Sequence, residues 1–305
     1  MLLSIGSTAA FPAWHTHVDA WALIGLIEFA YLFAVYRHGR RAAAVDGATA
    51  TPATPPAKVA MFSAGVLVLL IASDWPIHDL AEGYLYSVHM LQHLLFTLGA
   101  ASLLLLGTPA WMARSILSPK WLLTTVRFLS RPVVGLIQFN LVIVFSHWPL
   151  VVDATVRHHP LHFVAHAVLL VSAILMWMPV LSPLPEVPRA KPLVQMLYLF
   201  LQNVVPTVPA SFLTFGKKPL YHIYETFPRL WGISALDDQL TAGLIMKIGA
   251  SFFFWIVIAT IFFRWYSAEE NAEKKEKQRI KNDAEHDLLL WEDVERELKQ
   301  LDRPG

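Results

Sequence analysis

The side chains in this sequence best suited to chemistry are histidines, and four of the 13 form two HxxxH pairs inside apolar stretches: His89/His93 and His162/His166. Residues four apart on a helix share one face with Cβ atoms about 5–6 Å apart, so each pair can present two ring nitrogens to one ion or one partner. Around them stand His147 in SHWP, His78 in DWPIHD and the adjacent His158/His159, with His15, His17 and His222 farther out. Neutral imidazole suits copper, zinc, iron and nickel. Met90, beside His89, could add a thioether that favours Cu(I), although it sits one position round the helix and packing is its simpler role. A catalytic zinc would want a general base; Glu82, Asp74 and Asp79 are near, but no HExxH occurs. Haem, held axially by histidines on facing helices and walled by Trp and Phe, is the second ligand class. A single exposed histidine such as His15, His17, His158 or His222 reads more simply as an interfacial residue satisfied by carbonyls. Trp14, Trp75, Trp148 and Trp231 would form the accompanying aromatic belt.

The elements that must position these groups are membrane helices. Of 305 residues, 55% are apolar and 15% charged, the mean hydropathy is +0.48, and several apolar runs approach the ~20 residues that cross a bilayer. A soluble core cannot bury six or seven such runs separated by short charged loops. The chain is therefore expected to be all-α, a polytopic bundle of about seven transmembrane helices. The spans fall near Ala20–Tyr36, Val59–Ser73, Tyr84–Leu106, Val133–Phe145, Leu161–Pro179, Val194–Thr214 and Leu240–Phe263. The second and fourth are short and should extend into flanking residues or tilt less. Cysteine is absent, which excludes disulfides, thiolate metal sites and CxxCH haem attachment. The net charge of +1 points to no charged partner; lipid is expected around the chain and nucleic acid is not.

Lys and Arg concentrate in alternate short loops: Arg37, Arg40, Arg41 and Lys58, then Arg114, Lys120, Arg127 and Arg131, then Arg189 and Lys191. These loops are expected in the cytoplasm, with the N-terminus outside as a short exported tail and the C-terminus inside. All histidines but His38 and His286 then lie toward the outer side, and His93 and His166 sit roughly 8–14 Å along their helices from the outer end. Ionisable groups at that depth are costly and usually face a bundle interior.

Residues 1–266 read as the transmembrane domain, with 37–58, rich in Ala, Thr and Pro, as a flexible cytoplasmic linker loop. Residues 267–305 read as a charged cytoplasmic tail in which Leu289, Val294, Leu298 and Leu301 approximate a helical stripe, either solvated or docking a cytoplasmic partner. Inside the spans, Glu28 suits a buried carboxylate bonded to a neighbour and Lys247 a snorkelling lysine. Gln138, Asn140, Gln195, Gln202 and Asn203 suit interhelical hydrogen bonds, and Pro206 and Pro209 a bend in span six. Asp237 and Asp238 should cap the last span, or else Asp238 supports the histidine site, and Gly243 permits close helix contact.

SVHMLQHLLF followed by LLGTPAW, SHWPLVVDA, LHFVAHAVLL followed by MWMPVLSP, and PLYHIYE followed by DDQLTAG occur in that order between about residues 60 and 265. In this ordered set the chain resembles the multi-pass CtaG family of cytochrome c oxidase assembly factors. The resemblance implies a seven-helix protein of the bacterial cell membrane that assists assembly of a haem-copper oxidase, contacts oxidase subunits within the membrane, and supplies or stabilises copper at the outer face. It implies no enzymatic activity. The matching positions are His89, His93, His147, His162, His166, Asp238, Gln239 and Gly243; Lys247 departs from the apolar or aromatic residue expected there. A haem-binding electron carrier and a metal or ion transporter using Glu28 are the competing readings.

Overall fold

The computed structural model describes residues 11–43 and 53–301. Every regular element among them is helical. In chain order these are α1 (Val18–Ala43), α2 (Pro56–Ser73) and the short α3 (Ile77–Gly83). Then come α4 (Tyr86–Gly107), α5 (Ala110–Ile116), α6 (Lys120–Leu129), α7 (Pro132–Ser146), α8 (Pro149–Arg157), α9 (His159–Leu181), α10 (Pro192–Phe215), α11 (Ala235–Leu244) and α12 (Ala250–Leu301). Proline occupies a first-turn position of α2, α7, α8, α9 and α10, where its fixed φ suits the helix and its missing N–H costs nothing.

Six helices are long and apolar enough to cross a membrane, and a seventh is counted only if α6 and α7 are one span bent by 84°. Span four extends by one residue at each end, to Pro132–Ser146, but does not run on into α6 as a straight helix. Ser130, Arg131 and Pro132 break the helix, and α6, which buries none of its side chains, turns away instead. Span two does extend, by three residues, to Pro56. The expected linker loop is shorter than 37–58, since α1 runs on through the helix-favouring Arg40, Arg41 and Ala42 to Ala43. Residues 44–52 of it, like residues 1–10 of the N-terminal tail, lie outside the described residues.

Glycine sets the closest helix contacts. A Cβ on Gly107 would stand 2.3 Å from the backbone nitrogen of Phe62, and one on Gly65 would stand 2.9 Å from that of Leu104, so α2 and α4 meet nearly backbone to backbone. Gly107→Ala must displace α2, and a loss of about 1–3 kcal/mol is expected, read as a lower thermal midpoint in detergent. Gly243 does the same for α11 against α10, its Cβ position lying 2.5 Å from Thr214 Oγ1.

Polar groups stitch the remaining faces. Gln138 donates to Ser172 O at 3.0 Å, Asn140 to Gln202 Oε1 at 2.8 Å, Gln202 to Tyr198 Oη at 2.9 Å, and Ser251 to Asn203 Oδ1 at 2.8 Å. Gln195 is different: it bonds Ala190 O just before its own helix. Glu28 accepts from Ser63 at 2.5 Å, and the Lys247 ammonium lies 5.2 Å from the Phe215 ring centre. Trp177, fully buried, donates to Thr97 O at 2.9 Å and ties α9 to α4 one turn below His93.

The helical core belongs to one compact unit, Met1–Ile256; Val257–Gly305 is a second. The second unit is helical through Leu301 and laced by i,i+4 pairs such as Glu270–Lys274 and Glu273–Lys277, both at 2.6 Å. Val294 and Leu298 of its apolar stripe are exposed; the side chains of Leu289 and Leu301 lie outside the described residues.

Candidate metal centre

The site begins with the way α4 starts. Leu85 at its N-cap offers no side-chain acceptor, which leaves the first amides of a buried helix without partners. Asp238, only 1% exposed, fills that role from α11, accepting from Tyr86 N at 2.7 Å and Ser87 N at 3.0 Å. The sequence allows Asp237 and Asp238 to cap their own helix or Asp238 to support the histidine site. Ser234 caps that helix instead, its hydroxyl accepting from Asp237 N at 3.1 Å, so Asp238 is free to cap the helix that carries His89 and His93.

From that anchored start, α4 and the first turns of α9 set their histidine pairs face to face. His166 Nε2 lies 3.2 Å from His93 Nε2 and 3.1 Å from His162 Nε2. His89, His93 and His166 each offer a nitrogen within 4.8 Å of the others. His89 and His162 are buried.

Above them, α3 places His78 and Glu82 four residues apart on one face. Glu82 accepts from His162 Nδ1 at 2.6 Å and lies 3.4 Å from His78 Nε2 and 3.5 Å from His159 Nδ1. Burial pushes the Glu82 carboxyl up, but the His162 hydrogen bond and the neighbouring His78, His162 and His159 outweigh it and hold the group below the usual carboxylate range. Burial likewise lowers His78, against the pull of Glu82.

The Glu82 contact decides tautomers. His162 Nδ1 carries the proton it donates, so in the neutral ring its Nε2 presents a lone pair to His166. A ring nitrogen has one hydrogen or one lone pair, so His166 Nε2 cannot make ordinary hydrogen bonds to both His162 and His93. The unmatched contact is what a cation would resolve. Two metal–nitrogen bonds of about 2.0 Å at a tetrahedral angle separate their nitrogens by roughly 3.3 Å, close to both distances. The carboxylate–histidine arrangement behind them is the kind that orients metal ligands. His89 Nδ1 and His93 Nδ1 are also buried without a hydrogen-bond partner among the described residues.

Other expected members sit elsewhere. His78 belongs with the orienting carboxylate, its Nδ1 3.3 Å from Gln92 Nε2 and its ring centre 6.5 Å from that of His162. Asp74, the residue after α2, meets His78 through its backbone carbonyl, which accepts from His78 N at 3.0 Å. His147 pairs with Met90 rather than with the converging nitrogens: its Nε2 is 3.3 Å from Met90 Sδ. His17, expected as a carbonyl-bonded interfacial residue, instead meets Asp79 Oδ2 at 3.1 Å and packs edge-on against His78 with ring centres 4.7 Å apart. His222 likewise meets a carboxylate, Glu225, at 2.8 Å. Glu82 is the residue the sequence reading passed over as one of several nearby acids; the HxxxE spacing of His78 and Glu82 was the available signal. A cleft of about 490 Å³ reaches this layer, lined by His17, Glu82, His162 and His166 beside apolar residues including Ile24 and Phe163.

Comparison with curated proteins and with solved structures returns no match. A family model described as cytochrome c oxidase caa3 assembly factor matches residues 29–268, a stretch that contains α2 through α11 and every histidine of the converging set. The chain therefore belongs to the cytochrome c oxidase caa3 assembly factor family.

Proposed function

We propose that the protein handles copper during assembly of a haem-copper oxidase, holding the ion at His89, His93 and His166 with His162 alongside. The observation that carries this reading is His166 Nε2, set 3.2 and 3.1 Å from two other ring nitrogens of which hydrogen bonding can satisfy only one. Glu82 fixes the His162 ring and its tautomer, and Asp238 fixes the start of the helix bearing His89 and His93. Copper is the cargo: imidazole donors bind it, and a burial that leaves a cleft open to the layer above allows it to arrive and leave. The role is assembly rather than catalysis. Haem is the weaker reading, because two axial bonds of about 2.0 Å to one iron need nitrogens about 4 Å apart, more than the 3.2 Å between His93 and His166.

The same reading places residues 1–266 in the bacterial cell membrane, with the histidine end outward, and 267–305 as a cytoplasmic tail available to a partner. Alternate loops rich in Lys and Arg support that orientation. Membrane-embedded oxidase subunits are the partners. The test is complementation of a strain lacking this protein, scored by copper per oxidase in purified enzyme. Wild type should restore the copper content and His166→Ala should not. Equal copper content with both would overturn the proposal.

A further inference from the structure

Met90 lies three residues before His93, which makes the two neighbours on the helix surface, while His147 follows the last turn of α7. The fold brings all three to a small cavity of about 50 Å³, lined also by Ile143, Asn203 and Met246. Met90 is 1% and His147 8% exposed. His147 Nδ1 is 2.7 Å from Ile143 O, a distance only an N–H donor tolerates, so in the neutral ring Nε2 carries a lone pair. That lone pair stands 3.3 Å from Met90 Sδ, and a thioether has no proton to give. Two acceptors thus face each other in a buried place. A doubly protonated ring would relieve the contact only by leaving a charge without a carboxylate partner, and 3.3 Å leaves no room for a bridging water. Bonds of about 2.0 Å to nitrogen and 2.3 Å to sulfur, at a tetrahedral angle, set the two donors about 3.5 Å apart.

We infer that His147 Nε2 and Met90 Sδ form a second, inner metal site selective for Cu(I), separate from the three-imidazole site and adjoining it through His93. This deepens the copper reading and rests on it. The soft thioether selects Cu(I) over zinc. His93 contacts His166 through Nε2, lines the inner cavity, and has a buried Nδ1 without a hydrogen-bond partner among the described residues, so it is a ligand-type residue that borders both sites. An ion moving from the all-nitrogen site to the inner one would gain a sulfur ligand.

The test is anaerobic Cu(I) titration of the full-length protein in detergent against a chromophoric chelator, with copper X-ray absorption on the loaded samples. Wild type should bind two Cu(I) ions, and its absorption should include a sulfur neighbour near 2.3 Å. Met90→Leu, which nearly conserves volume, should bind one and lose the sulfur signal; His166→Ala should bind one and keep it. Zinc should bind once to wild type and once to Met90→Leu, which also checks that this variant is folded. If Met90→Leu misfolds, the presence or absence of sulfur in loaded wild type decides. Two ions retained by Met90→Leu, or no sulfur in wild type, would overturn the inner site. A single ion lost in His166→Ala but kept in Met90→Leu would overturn it while leaving the copper reading intact. The reverse pattern would leave the inner site standing and remove the three-imidazole site. A wild type that binds no copper overturns both.

Discussion

Replacing Glu82 with leucine is expected to weaken copper binding by about 10- to 100-fold, the usual cost of removing a group that orients a metal ligand. The side chain makes a 2.6 Å contact to His162 Nδ1 and bridges toward His78 and His159. It acts on the ion through His162, by holding the proton on Nδ1 and so keeping the lone pair on Nε2. Without it the ring is free to turn and to carry its proton on the nitrogen that faces His166. Glu82→Gln keeps one acceptor oxygen and loses the charge, so its effect should fall near the lower limit, about 1.4 kcal/mol. Competition with a chelator of known affinity gives the number. Affinity unchanged in both variants would mean that His162 is positioned by packing alone.

Asp238→Ala should be the most destabilising single change to the start of α4. It orphans two buried amides, those of Tyr86 and Ser87, at about 1–3 kcal/mol each, so a total of about 2–6 kcal/mol is expected. Asn can accept from one amide but turns its own N–H₂ toward the other, so Asp238→Asn should recover about half of the loss. Denaturant or thermal midpoints in detergent measure both. Metal affinity should fall alongside stability, because His89 lies just two residues beyond Ser87 in the turn that would fray. A midpoint within ~0.5 kcal/mol of wild type would show that the cap is dispensable.

Much of this was legible in the sequence because membrane helices write themselves in local composition. Apolar run length gave the span positions, and the period of the helix put His89 with His93 and His162 with His166 on common faces. Gln138, Asn140, Gln202 and Asn203 bond across helices as polar residues within spans are expected to, while Gln195 bonds back to the segment before its own helix. What stayed hidden was set by tertiary proximity. Nothing local distinguishes Asp238 from an ordinary first-turn acid, and its use by α4 follows from where α11 packs, an approach that Gly243 makes possible. Met90 looked misplaced when compared with His89; its relation to His93 and to His147, more than fifty residues away, was the relevant one. Glu82 was one of several acids before span three, and only the return of α9 to the same end of the bundle singles it out. The break at Ser130–Pro132 was visible as a proline, but its 84° bend was not.

The most direct test of the three-imidazole site is metal analysis of the purified protein, with an optical spectrum, for wild type and the His93→Ala, His166→Ala double variant. Wild type loaded with Cu(I) and desalted should retain copper without a Soret band. The double variant, folded by its thermal midpoint, should lose the ion held by the converging nitrogens. Equal copper in the two proteins, or a Soret band that disappears with the double substitution, would contradict the assignment of these histidines to copper.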